Sequence, residues 1–101
     1  MKVFEFLEEL GQSKLIADFV DKKKDGSEIN RVFLSDNRGN TIAMCHKDVA
    51  LDLNAKHGVG TDAWKDAILD CRVFWFSTKE GKELCMFTNK PRSSNHFEFD
   101  L

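Results

Sequence analysis

The side chains in this 101-residue chain best suited to metal or nucleophilic chemistry are three cysteines and three histidines. Cys45 and His46 are adjacent, and His57, Cys71, Cys85 and His96 are scattered, unlike the closely paired ligands of a structural zinc site. Adjacent residues on a strand point to opposite faces, so Cys45 and His46 would not readily share an ion. No metal and no cofactor is expected. A cysteine nucleophile and a histidine base meet only in three dimensions, which leaves a small enzyme of unknown class as the third of the functional readings. Cys45 and Cys85 lie in runs that read as strands and Cys71 at a helix end, so all three read as buried free thiols, as a reducing compartment favours.

His57-Gly58-Val59-Gly60-Thr61 places two glycines before a helix start. It lacks the lysine of a phosphate-binding loop and the third glycine of a dinucleotide fingerprint, so it reads as a turn between helices. A more suggestive group is basic: Arg31, Arg38, Lys47, Arg72, Lys79 and Lys82 stand in or beside apolar runs that carry Trp75, Phe74 and Phe76. Cations among aromatic rings on a sheet are how single-stranded nucleic acid is held. Arg31, Arg38, Arg72, Trp75 and Lys79 therefore form the candidate binding surface. The competing reading is favoured: Phe74, Trp75 and Phe76 are core, and the cations keep hairpin tips soluble.

The elements that would position these residues recur. Arg31-Val32-Phe33-Leu34-Ser35 and Arg72-Val73-Phe74-Trp75-Phe76-Ser77 each lead into a glycine turn and a second apolar run, which predicts two β-hairpins. Asp36-Asn37-Arg38-Gly39 and Thr78-Lys79-Glu80-Gly81 both fit a type I turn closed by a left-handed glycine. The Arg-Val-Phe triplets sit one residue out of step relative to the turns, which predicts a bulge among Phe74, Trp75 and Phe76. A glycine, a polar cap and apolar residues at helical spacing precede each hairpin, so a helix-hairpin unit over residues 11–45 is expected to recur over residues 60–87.

Elsewhere, Val3, Phe6, Leu7 and Leu10 share one face of a helix over residues 2–10, with acids opposite. Leu15, Ile16, Phe19 and Val20 predict a helix over residues 13–22, followed by a polar loop over residues 22–27. Residues 29–46 are the first hairpin. Residues 48–57 alternate like a strand but are framed by Asp48 and Gly58 like a helix, and summed propensity favours the helix. Another helix begins at Thr61 or Asp62, residues 89–95 form a loop, and the alternation of His96-Phe97-Glu98-Phe99-Asp100-Leu101 predicts a terminal edge strand.

The expected fold is α+β, one domain over residues 1–101, with an antiparallel sheet of four or five strands packed with helices. Both hairpins are apolar on both faces, so either helices cover both sides of the sheet or one side meets a partner. Composition narrows the functions. With 15 basic and 17 acidic residues, the formal charge of −2 gives no bulk attraction for phosphate. No apolar run approaches a membrane span, the acidic start is unlike a signal peptide, and a cytoplasmic location is expected. These features point first to a small soluble non-enzymatic module, an adaptor, inhibitor or accessory protein, acting by protein contact or self-association. A sheet-based single-stranded nucleic-acid binder is the alternative.

Overall fold

The computed structural model describes residues 1–12, 14–24 and 27–90. Their elements run α1 (Val3–Glu9), β1 (Ala17–Lys24), β2 (Ser27–Ser35), β3 (Thr41–Met44), α2 (Lys47–Lys56), α3 (Asp62–Leu69), β4 (Arg72–Ser77) and β5 (Glu83–Thr88). This is an α+β fold whose single sheet has the strand order β1-β2-β3-β5-β4.

Each helix forms where its cap and apolar stripe coincide. The Glu5 carboxylate accepts a hydrogen bond from the Lys2 backbone N–H at 3.0 Å, closing the first turn of α1, which buries Val3 and Leu7. At the start of α3 the Thr61 hydroxyl donates to the Gly58 carbonyl at 2.6 Å and accepts from the Trp64 N–H at 3.2 Å. Residues 47–56 are helical as propensity favoured, and His46 caps them by accepting from the Asp48 N–H at 3.3 Å. The two-glycine segment between α2 and α3 is a helix-helix turn, with Gly60 in the left-handed region at φ 82°.

Both hairpin turns have the expected form. Gly39 and Gly81 adopt φ 83° and 82°, and their N–H groups donate to the carbonyls of Asp36 and Thr78 at 3.1 and 3.0 Å. The irregularity lies in the other hairpin from the one expected. Pairing of β4 with β5 is continuous from Arg72↔Thr88 to Ser77↔Glu83. In the first hairpin the register shifts between Leu34↔Ala43 and Ser35↔Thr41, which makes Ile42 the extra residue.

Three expectations are corrected. The predicted helix over residues 13–22 is largely strand β1, and the predicted loop after it continues β1 into β2: Lys24 pairs with Ser27, which leaves only Asp25-Gly26 between them. The sheet is mixed, because β3 and β5 run parallel with Met44 beside Met86. The helix-hairpin repeat does not hold, since a strand precedes the first hairpin and a helix the second. Matching the two hairpins on their turns sets Leu34 against Phe76, and these residues face opposite sides of the sheet, so the resemblance is one of turn chemistry. The predicted strand at residues 96–101 lies outside the described residues.

The three helices pack on one face of the sheet. Val3, Leu7, Val49, Ala50, Leu53, Trp64 and Ile68 join Val32, Leu34, Ala43, Cys45, Cys85 and Phe87 in one buried cluster. Trp64 anchors the α2–α3 contact, its indole N–H donating to Asn54 Oδ1 at 2.9 Å. Among the described residues no helix is long and apolar enough to cross a membrane.

Candidate functional site

Strand alternation divides the predicted surface between the two faces. Val73 packs against the helix-side cluster, so Trp75 two residues on points the same way, while Phe74 and Phe76 point to the other side. The helices end short of Trp75. Its side chain lies on β4, an edge strand, and the residue is 63% exposed, the most exposed of the large apolar residues among those described. The favoured expectation that Trp75 belongs to the core is therefore wrong, whereas its neighbours Phe74 and Phe76 are partly buried.

The second face carries an apolar row. Phe33 pairs with Met44, Met44 lies beside Met86, and Met86 pairs with Phe74, so the four residues cross β2, β3, β5 and β4 in line. Met86 at its middle is fully buried, and Leu84 and Phe76 extend the row toward the second hairpin tip. No described helix packs on this side. Arg31 and Arg72 share its alternation, each two residues from a phenylalanine of the row, with their strands separated by three strand spacings, roughly 14 Å.

Arg38 and Lys79 occupy the tips of the two hairpins. Because β3 and β5 are parallel and each leaves its own tip, both tips lie at the same end of the sheet, away from Arg31 and Arg72. The five predicted residues are thus not one constellation. Two cations are at the tips, two are at the far end of the second face, and the indole stands on the helix side of an edge.

That edge is partly paired. The Val3 N–H donates to the Cys71 carbonyl at 2.9 Å and the Val73 N–H donates to the Met1 carbonyl at 2.8 Å, so residues 1–3 close the first part of β4. The same alternation turns the backbone N–H and C=O of Trp75 and Ser77 outward, and no described segment meets them. This feature was missed in sequence; an unbroken apolar run with lysine only past its end was its one available sign. At the opposite edge the sequence of β1, ADFVDKKK, is rich in charge, a composition that discourages strand addition.

The remaining candidates for chemistry are inert or polar surface. Burial pushes the thiols of Cys45 and Cys71 up to about 12 and that of Cys85 up to about 11, so all three are protonated at neutral pH. All three are free and buried, as expected. No cluster of metal-binding side chains occurs among the described residues. The Asp52 carboxyl is held below its usual range first by a hydrogen bond from Asn89, at 2.7 Å, and then by Lys56, a surface network at the end of α2. A shallow groove of about 180 Å³ between α1 and the segment leading to β1 is lined by Phe4, Leu7, Leu15 and Leu69, with Glu8, Gln12 and Lys14 at its rim. No family model, curated protein or solved structure matches the chain.

Proposed function

We propose that this chain is a small cytoplasmic interaction module, non-enzymatic, that works by protein contact at the β4 edge. The observation that carries the reading is Trp75, 63% exposed on an edge strand whose outward backbone groups at Trp75 and Ser77 meet no partner among the described residues. Exposed aromatic side chains contribute strongly at interfaces, and an open strand edge supplies main-chain hydrogen bonds to an extended partner. The three buried thiols support an adaptor or accessory role over covalent chemistry, because protonated, shielded sulfur is a poor nucleophile.

A photoreactive benzophenone side chain at position 75, in cells producing the full chain, tests this directly. Discrete protein adducts are expected from position 75 and not from position 59, which is also exposed but lies in the α2–α3 turn. A Ser77→Pro change, which removes an outward N–H, should abolish them. Adducts of equal yield from both positions, or none from position 75, overturn the reading.

The second reading, single-stranded nucleic-acid binding, is favoured by one observation. Arg38, Lys79 and Lys82 gather at the same end of the sheet, a few residues from the exposed indole. Adducts of position 75 with RNA or DNA in the same experiment would support it.

A further inference from the structure

The two edges of the sheet differ in kind. The sequence of β1 is rich in charge, whereas the residues of β4 are Arg72-Val73-Phe74-Trp75-Phe76-Ser77, with no charge between Arg72 and Lys79. Natural sheets blunt an exposed edge with lysine, proline or a bulge unless the edge is used. β4 has none of these, and its pairing with β5 is regular throughout. An edge of this composition, unpaired at Trp75 and Ser77 among the described residues, calls for a strand to be added to it.

We propose that the strand is β4 of a second copy, paired antiparallel about a two-fold axis at Phe76. The proposal deepens the interaction reading, on which it rests, by naming the partner. The register follows from which groups are free. Met1 already accepts from Val73, so an incoming strand can use only the outward groups of Trp75 and Ser77. A two-fold axis at Phe76 sets Trp75 opposite the partner's Ser77 and Ser77 opposite the partner's Trp75, both of them hydrogen-bonding positions, for about four main-chain bonds in all.

Side chains fit that register. Trp75 meets a small serine on the helix side, which leaves space for the indole ring. Phe76 meets the partner's Phe76 on the other side, at a close, non-hydrogen-bonded position that favours aromatic contact. Past Ser77 the partner's chain enters its own hairpin turn, where the Gly81 N–H donates to the Thr78 carbonyl, and so it leaves the line of pairing before reaching Met1. A centre at Trp75 would instead drive the partner's Ser77 into Met1. The apolar rows of the two second faces become one continuous band across a ten-stranded sheet.

The contact is small. It falls well below the roughly 800 Å² per partner of a standard interface, so dissociation is expected on the order of 100 μM. Sedimentation equilibrium from about 5 μM to about 500 μM should show the weight-average mass rising toward twice the monomer value, and Trp75→Lys should weaken association by at least about tenfold. Register is read by mixing Trp75→Cys and Ser77→Cys chains in a glutathione redox buffer. Cα atoms of directly paired hydrogen-bonded residues lie about 5.5 Å apart, within disulfide range, so the mixed dimer should form faster than either self-dimer. A Val59→Cys chain sets the background.

Monomer mass at the highest concentration, a dimer indifferent to Trp75→Lys, or mixed trapping no faster than the Val59→Cys background would each overturn the proposal. None of these results touches the wider reading if position 75 still yields adducts with other proteins. Loss of those adducts too would end both.

Discussion

Trp64 and Trp75 are the same residue type in opposite settings, and the contrast makes the surface measurable. Trp64 is 1% exposed and hydrogen-bonded to Asn54, while Trp75 is 63% exposed. In a Trp64→Phe background the remaining emission should be red-shifted and readily quenched by acrylamide; in a Trp75→Phe background it should be blue-shifted and protected. Stability should separate the same way. Trp64→Phe leaves the part-buried Asn54 oxygen without its donor and should cost about 1–3 kcal/mol, whereas Trp75→Ser should stay within about 0.5 kcal/mol, both read from urea midpoints. The thiols give a pH dependence. Their folded values are raised from the ordinary 9.0 to between about 11 and about 12, so the unfolded chain loses protons first. The resulting stability is present in full below pH 9 and is lost as pH rises toward 12, which should appear as a falling urea midpoint across that window. Burial of the cysteines was legible from residue type alone. Exposure of Trp75 was not, because it depends on where helices distant in sequence stop.

Among the elements, the hairpins were readable and the strand before them was not. A turn-starter first and a glycine fourth specify a local geometry that tertiary packing need not supply, which is why both turns form as their sequences indicate. Replacing Gly39 or Gly81 with alanine should therefore destabilise the protein by about 1 kcal/mol at either site, because each has φ above 80° while open space surrounds the position where a Cβ would stand. Equal urea-midpoint shifts at the two sites are the expected result, and a shift at one alone would show that the turns are not equivalent. Residues 17–24 misled because Leu15, Ile16, Phe19 and Val20 fall at helical intervals by coincidence. In the structure Ala17 and Phe19 pack inward by alternation, as befits a strand. The overlooked signal was Asp25-Gly26, a dipeptide strongly favoured in two-residue hairpin loops. The Ile42 bulge had no sequence signature, since it arises where β3 must leave the first turn and still present Ala43 and Cys45 to the core.

At the scale of the molecule, the parallel pairing of β3 with β5 decides which residues can act together, and no local pattern announces such a pairing. It brings Arg38, Lys79 and Lys82 to one end of the sheet and leaves Arg31 and Arg72 near the other. A strand rises about 3.3 Å per residue, so the two groups of cations are separated by most of a strand's length, and the second pair lies on the face opposite Trp75. A single strand laid along the tips could reach two or three of these cations and the indole, not all five candidates. The net charge of −2 adds no long-range attraction. We therefore predict that mixed-sequence single-stranded DNA at about 10 mM salt binds weakly if at all, with dissociation no tighter than about 100 μM, and that binding disappears by about 150 mM salt. Few phosphate contacts also mean a shallow salt slope, and Trp75 emission, measured in the Trp64→Phe background, should be unquenched. Steep salt dependence with strong quenching, both lost in an Arg38→Ala, Lys79→Ala double variant, would transfer the β4 edge from a protein partner to a nucleic-acid one.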